Sequence, residues 1–311
     1  MVKGTVAIPD ALLAASLLGR HYCPMVLAAR RRPPARTILL DRALETLPVF
    51  RLSDSASDDA CISFAPGEGR RWRVIPNPGD RLPGTFDQDV YVELWHRFTE
   101  SGCPSDGVLR FTLHAFLRSM GRRVDGRTYE QLRTSLARLR HTRLESAGAY
   151  FDASAGEFVD GHVSMLSSIS IDRRRRAERD QLQLFPALSA AEPGVAQVTL
   201  SAGARANVLA GHAIMLSAPL YGTLTSPVAR RLYRLLEVAR EEGSVTWRVG
   251  LEQLAEQLPL AQRYPSHLQR VLQPAHEMLI GAGLLRDVQL RQQARSWVVD
   301  YVLASRSRTV A

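Results

Sequence analysis

Three runs of residues between positions 87 and 148 place apolar side chains at helical spacing, and each run ends at or near a glycine. The runs cover residues 87–102, 110–121 and 128–148. At about 100° per residue, Leu132, Leu136 and Leu139 fall on one stripe of the third run, and the polar residues fall on the other side. Thr128 and Gln131 have the T-x-x-Q spacing of a capping box. The pattern therefore predicts three amphipathic helices, the third of which begins at Thr128.

A period-two pattern follows the third helical run. Residues 149–171 alternate apolar and polar side chains around Gly156, which predicts a β-hairpin. Three helices followed by a hairpin are typical of a winged helix-turn-helix.

The same order recurs in the second half of the chain. Ser226 and Pro227 open a helical run that ends at Gly243, with Ser226 as N-cap and Pro227 as first helical residue. Two further helical runs follow, and in the last one Ser266 and Gln269 have capping-box spacing. Residues 284–290 and 296–303 then form a second alternating pair.

The two halves can be placed in register. A constant shift of 136 residues places Leu132, Leu136 and Leu139 over Leu268, Leu272 and Ala275. The sequence thus predicts an α+β fold with two tandem winged-helix domains and an irregular N-terminal arm. Its predicted divisions are a partly ordered arm (1–80), a first winged-helix domain (81–180), a linker with short strands (181–225) and a second winged-helix domain (226–305).

Charge favours a polyanionic partner. The 311 residues carry a formal net charge of +9, and a basic protein of this kind binds nucleic acid or an anionic surface. Lys3 is the only lysine, so the remaining basic residues are arginine, a skew that GC-rich codon usage also produces. The sign of the charge is therefore more informative than the choice of arginine.

The cysteines indicate a reducing compartment. Cys23, Cys61 and Cys103 lie far apart, without C-x-x-C spacing or a partnering histidine, so neither a zinc site nor a disulfide framework is indicated. Residues 11–19 are apolar but too short to span a bilayer. We therefore expect a cytoplasmic protein.

The third helix of a winged helix-turn-helix presents its polar side to the major groove, where arginine reads guanine and glutamine reads adenine. The candidate DNA-contacting residues on the two third helices are Arg133, Thr134, Ala137, Arg138 and Arg140 in the first half and His267, Gln269, Arg270 and Gln273 in the second. The alternative is an ordinary solvated helix surface. Pro274 is expected to bend the second of these helices or loosen its first turns.

Cations outside the helices are candidates for backbone contacts. Arg291 and Arg295 lie in the second hairpin, and Arg173, Arg174, Arg175 and Arg176 lie between the two halves. Each set is either a phosphate-contacting surface or simply solvated.

An enzyme is not indicated. No G-x-x-x-x-G-K-[ST] motif is present, and no His-x-His stands near a tyrosine as a nickase would require. Asp87 and Asp89 are spaced for a metal, but their place before an apolar helical run favours helix capping. His114, His141 and His276 lack carboxylates at ligand spacing, and Tyr233 has core spacing. We predict no catalytic residue, no metal and no cofactor.

Several stretches resemble the plasmid replication initiator protein A family and, more distantly, the tandem winged-helix initiators of iteron plasmids. They are "RWRVIPNPGDRLPGTFDQDV" from residue 71, "ANVLAGHAIML" from residue 206, "SPVARRLYRLLE" from residue 226 and "LQRVLQPAHEMLIGAGLL" from residue 268. The resemblance spans residues 70–303, and "SPVARRLYRLL" is its most specific part. It implies two winged-helix domains, specific binding of double-stranded origin DNA, and recruitment of a host replication initiator or helicase.

Alternatives remain open at this stage. The same tandem motifs suit a transcriptional repressor or autorepressor, because a winged helix fixes binding and not outcome. A general single-stranded DNA binder would need aromatic platforms among its cations, and aromatic residues make up only 7% of the chain. Trp72 and Trp95 are the candidate platforms, although Trp95 has core spacing. A homodimer is a further alternative to the monomer.

Overall fold

Helices and strands alternate along the parts of the chain that the computed structural model describes, which are residues 36–52, 61–171, 195–240, 245–260, 264–293 and 296–305. The helices are α1 (Arg42–Glu45), α2 (Thr85–Glu100), α3 (Leu113–Ser119), α4 (Gly126–His141), α5 (Ala202–Leu209), α6 (Ala218–Thr223), α7 (Pro227–Ala239), α8 (Leu251–Gln257) and α9 (Pro265–Gly281). The strands are β1 (Thr37–Asp41), β2 (Ile62–Phe64), β3 (Arg71–Ile75), β4 (Val108–Thr112), β5 (Arg143–Asp152), β6 (Glu157–Val163), β7 (Leu166–Ile171), β8 (Val195–Leu200), β9 (Ala213–Ser217), β10 (Thr246–Gly250), β11 (Leu285–Gln293) and β12 (Ser296–Leu303). The chain is therefore a mixed α/β protein.

One order of elements occurs twice. The first unit runs α2–β4–α3–α4–β5–β6, and the second unit runs α7–β10–α8–α9–β11–β12. The sheets differ, because β10, β12 and β11 form one antiparallel sheet in the second unit, whereas β4 pairs with β8, outside the first unit. In the first unit the β5–β6 hairpin instead extends a four-stranded sheet of order β2-β3-β5-β6.

The apolar stripes of α4 and α9 lie in the core as the sequence predicts. Leu132, Leu136 and Leu139 are fully buried, and their counterparts 136 residues later are buried as well. Ser226 caps α7, since its hydroxyl accepts a hydrogen bond from the Ala229 amide at 3.3 Å. These parts of the prediction are confirmed.

Both predicted capping boxes are wrong. Helix α4 begins at Gly126, and Asp125 is its N-cap: the Asp125 Oδ1 accepts from the Thr128 amide at 2.9 Å, while the Asp125 amide donates to the Thr128 hydroxyl at 3.0 Å. Helix α9 begins at Pro265 without a side-chain cap and continues through Pro274. A carboxylate one turn earlier thus takes the role that the spacing assigned to Thr128.

The second predicted helical run is divided in the structure. Its first residues form β4, where Leu109 and Phe111 are buried and Arg110 between them is exposed. Thr112 then caps α3 by accepting a hydrogen bond from the Ala115 amide at 3.1 Å. Pairing of β4 with the distant strand β8 accounts for the change, because such pairing favours the period of two.

Two segments that the sequence analysis treated as arm and linker are packed where the structure describes them. Residues 36–52 contribute β1, α1 and buried apolar side chains, and residues 61–75 contribute β2 and β3. Residues 195–224 contain α5 and α6 in addition to strands β8 and β9. β1 pairs with β9 and β8 pairs with β4, partners more than 80 residues away that local patterns do not reveal.

Candidate nucleic-acid interface

The outer side of α4 is a ridge of exposed residues. It consists of Arg127, Glu130, Gln131, Thr134, Ala137 and His141. Two of the residues predicted to contact DNA, Thr134 and Ala137, lie on this ridge. Their methyl groups can contact a thymine methyl, and the neighbouring Gln131 can bind adenine through two hydrogen bonds.

The ridge is less cationic than the sequence suggested. Glu130 is exposed and forms an ion pair with Arg133 at 3.2 Å, so a carboxylate does interrupt this side of the helix. Arg133 and Arg140 are half-buried at its flank. Glu130 was not among the candidate residues of this helix, so the set Arg133, Arg138 and Arg140 overstated the positive charge of this side.

Arg138 does not face outward, so its predicted role in DNA contact is corrected. Its guanidinium contacts the two carboxylates of Asp87 and Asp80, with Nη1 3.1 Å from Oδ2 of Asp87 and Nη2 2.8 Å from Oδ1 of Asp80. Asp87 also accepts a hydrogen bond from the Gly84 amide at 2.7 Å, in a cap of α2. The arginine therefore fastens α4 to the beginning of α2, and the predicted capping role of Asp87 is confirmed.

The corresponding ridge on α9 is more polar. Ser266, Arg270, Gln273 and Glu277 are exposed, and each lies 136 residues after a member of the α4 ridge. The Arg270 guanidinium lies 3.3 Å from the Nδ1 atom of His267, and the Gln273 amide donates to Glu277 at 2.7 Å. His267 and Gln269 are half-buried at the flanks. Arg270 and Gln273 are thus presented on the side of α9 that faces away from the core.

The second hairpin carries cations on its outer side. Arg291 on β11 is exposed and lies 3.7 Å from Asp300 on β12. Asp300 also pairs with Arg248 on β10 at 2.5 Å, and this contact raises the pKa of Arg248. Arg248 was not among the predicted contacts, although its alternation between Trp247 and Val249 on β10 places it on the outer face. Arg295 lies outside the described residues.

The first hairpin has the opposite charge. Asp152, Glu157 and Asp160 lie at or near its turn. The turn is tied to the body, because the Ala153 amide donates to the Asn207 side chain on α5 at 2.8 Å. A carboxylate-rich turn of this kind is repelled by DNA phosphates, so the described hairpins of the two units are not equivalent.

A cationic surface that the sequence analysis missed lies on the outer face of the four-stranded sheet. Arg71, Arg73 and Arg143 are exposed there, and Arg73 pairs with Glu145 across the strands at 3.4 Å. Trp72, between the two arginines of β3, points to the core and donates a hydrogen bond to the Pro48 carbonyl at 2.9 Å. The alternation R-W-R in a strand was the signal available for this surface.

The remaining candidate residues, which are aromatic residues and a histidine, are buried inside the protein. Both proposed aromatic platforms, Trp72 and Trp95, are fully buried. Tyr233 is buried, and its hydroxyl accepts a hydrogen bond from the Ser217 amide at 3.0 Å. His276 is buried against Tyr301, with Nε2 3.0 Å from the tyrosine hydroxyl, and burial lowers the pKa of His276 to about 4.

Within the described ranges, no group of three or more histidine, cysteine, aspartate or glutamate side chains is arranged to hold a metal ion. The four arginines at 173–176 lie outside these ranges. None of the helices that the structure describes combines the length and apolar character needed to cross a bilayer.

Comparisons with known proteins give one family and a shared fold. A family model described as Replication initiator protein A matches residues 40–278. A search of curated protein sequences found no match. Domains 2 and 3 of RctB superpose with a TM-score of 0.51 at 12% identity, covering 86% of this chain and 99% of that chain. The Pi initiator protein, solved in complex with iteron DNA, gives a TM-score of 0.50 at 11% identity, covering 89% and 100%.

Proposed function

Because the chain belongs to the replication initiator protein A family, we propose that it binds double-stranded repeats of a replication origin through two winged-helix units. The observation that carries the proposal is the pair of exposed ridges on α4 and α9, which occupy equivalent positions in two units of the same element order. In each unit the ridge lies opposite the buried leucine stripe, where a recognition helix presents its base-contacting residues.

The two ridges have different chemistry, so they read different bases. Arg270 can bind guanine O6 and N7 with two hydrogen bonds, and Gln273 can do the same with adenine N6 and N7. On α4, Gln131 can bind adenine through two hydrogen bonds, and the methyl groups of Thr134 and Ala137 can make apolar contacts with thymine. Each good pair of hydrogen bonds discriminates against a wrong base by about 1–3 kcal/mol.

Cations around the ridges supply affinity without sequence preference. In this proposal Arg291 on the second hairpin, Arg248 on the neighbouring strand β10 and the four arginines at 173–176 contact phosphates. The structural relative Pi was solved with iteron DNA, which supports a duplex ligand. A single-strand binder is less well supported, because Trp72 and Trp95 are buried.

Family membership extends the proposal to partners. We infer that the bound chain recruits a host replication initiator or helicase, and that it acts either as a monomer or as a homodimer. Repression of its own gene is compatible with the same DNA contacts, since one bound molecule can serve both purposes.

Selection from a random duplex library tests the proposal. The wild-type chain should enrich one motif that also occurs in the DNA flanking its gene, whereas Arg270→Ala and Gln273→Ala should each relax the preference at one or two base pairs. Arg286→Ala is the matched control, because Arg286 is an exposed arginine on β11 that donates to the Ser305 hydroxyl and lies off the ridge. An unchanged motif in both ridge variants would contradict the assignment of α9 as a reader.

A further inference from the structure

Residues 36–52 lie between the two units. They are bound to the first unit, and to the stretch of residues 71–84 that precedes it, through main-chain and side-chain hydrogen bonds. The Leu39 amide donates to the Thr99 hydroxyl on α2 at 3.1 Å, and the Pro48 carbonyl accepts from the Trp72 indole at 2.9 Å. The Arg51 amide donates to the Pro83 carbonyl, just before α2, at 2.8 Å.

The same segment is bound to the second unit. Arg42 donates to the Val238 carbonyl in the last turn of α7 at 2.8 Å. The Leu52 amide donates to the Pro259 carbonyl, just after α8, at 3.0 Å. Adjacent main-chain amides thus bond in opposite directions, since Arg51 contacts the loop that leads into the first unit and Leu52 contacts the second unit.

A buried polar cluster centred on Glu45 joins the segment to both units at one point. The Glu45 carboxylate lies 3.0 Å from the guanidinium groups of both Arg231 and Arg234 on α7, and all three side chains are buried. Arg234 also donates to the Gln88 amide oxygen on α2 at 2.5 Å. Burial lowers the pKa of Arg231 to about 10, which still leaves it protonated at neutral pH. For Arg234 the neighbouring Glu45 carboxylate outweighs the effect of burial and raises the pKa.

Apolar packing completes these contacts. The side chains of the segment that are buried are Ile38, Leu40, Ala43, Leu44, Leu47, Val49, Phe50 and Leu52. Beside the segment, α2 and α7 also meet directly, where Arg230 pairs with Asp89 at 2.5 Å. Separating the units would expose this apolar surface and leave buried charges without partners, both of which are unfavourable.

We propose that residues 36–52 act as an inter-unit clamp that fixes the distance and rotation between α4 and α9, and so determines which spacing of the two DNA segments the chain accepts. The inference rests on the proposed function. DNA turns once in about 10–10.5 bp, so an insertion of about 5 bp moves one segment to the opposite face of the duplex. A clamped chain cannot follow that rotation, whereas two units joined by a flexible linker can.

Binding to duplexes of altered spacing tests the clamp. Each duplex carries the selected motif intact, or with 2 or 5 bp inserted between its two segments. For the wild-type chain the 5 bp insertion should weaken binding by about tenfold or more, since one of two specific segments is lost. Glu45→Gln and the double variant Arg42→Met/Arg230→Met should bind the intact duplex less tightly and show a clearly smaller penalty for the insertion.

Arg97→Met is the matched control, because it removes a partly buried ion pair with Glu93, 2.7 Å long, that lies wholly within α2. It should keep the wild-type penalty even if it lowers stability. If Glu45→Gln does not fold, the double variant decides, since Arg42 and Arg230 are less buried than Glu45. A wild-type chain that tolerates the insertion, or folded clamp variants with the full penalty, would overturn the inference. Failure of the proposed function would give a different result: neither the wild-type chain nor any variant would then prefer the intact motif over random duplex.

Discussion

The guanidinium of Arg138 lies between Asp87 and Asp80, 3.1 Å and 2.8 Å from their carboxylate oxygens, on the flank of α4 next to its buried stripe. Both carboxylates come from the stretch of residues 71–90 that resembles the initiator family. Part of that stretch therefore fixes the position of α4 from the side opposite its exposed ridge.

Arg138→Met should destabilise the fold, because it leaves the buried Asp87 carboxylate without its cation. Breaking a buried ion pair from one side costs about 3–5 kcal/mol. The matched variant Arg133→Met removes the more exposed pair with Glu130 and should cost less than about 1 kcal/mol. Urea unfolding of the two variants measures the difference, and equal midpoints would contradict the assigned role of Arg138.

The charge of the second hairpin can be changed in both directions. Arg291→Ala should lower the slope of log affinity against log salt by about one and leave base preference unchanged, because a phosphate contact carries no sequence information. Asp300→Asn should strengthen binding at low salt, since it removes the carboxylate that Arg291 and Arg248 share. Salt titrations of binding to specific and random duplex provide the measurement. A sequence-dependent effect of either substitution would argue against a backbone contact.

The linker arginines should behave as sequence-independent cations. Replacing Arg173, Arg174, Arg175 and Arg176 by alanine is expected to weaken specific and random duplex by similar factors, with up to about four fewer counterions released. Arg270→Ala, compared in the same assay, should affect the specific duplex most. The roles are reversed if the linker variant changes base preference and the helix variant does not.

One monomer should protect two adjacent major-groove segments on the same face of the duplex, with centres about 10 bp apart. Since the α4 and α9 ridges differ in sequence, the site should be a directly oriented unit of about 20 bp and not a palindrome. Hydroxyl-radical footprinting of the monomer on its origin is the measurement. A single protected segment, or two segments related by a two-fold axis, would contradict tandem reading.

His276 should make the fold sensitive to acid. Burial lowers its pKa in the folded chain to about 4 from its ordinary value of 6.5, so the unfolded chain binds the proton more tightly. Stability is then lost as the pH falls from about 6.5 towards 4, at up to about 1.4 kcal/mol per pH unit. Asp41 acts in the opposite sense, because burial raises its pKa to about 7 and its contribution is lost as the pH rises. Urea unfolding of wild type and His276→Leu at several pH values isolates the histidine, and parallel curves would exclude it.

Local sequence patterns were sufficient to predict the helices whose apolar stripes pack into the core. Leu132, Leu136 and Leu139 define α4, and Ser226 with Pro227 defines the beginning of α7, because these signals act within a few residues. Local patterns did not predict the burial of Arg138, because its position on the helical wheel borders the apolar stripe. Its burial depends on Asp80 and Asp87, more than 50 residues earlier in the chain. Glu45 is a similar case, since its partners Arg231 and Arg234 lie 186 and 189 residues away.

The contrast between the two hairpins gives a bound chain a polarity. Asp152, Glu157 and Asp160 stand on one hairpin, whereas Arg291 stands on the other with the neutral Gln292 and Gln293. Under the proposed function, the turn of the second hairpin then holds phosphates and the turn of the first hairpin repels them. Chains on directly repeated sites all point the same way, so the two ends of the row differ chemically. A row of bound chains is therefore directional, because it presents a different hairpin charge to the DNA at each of its two ends.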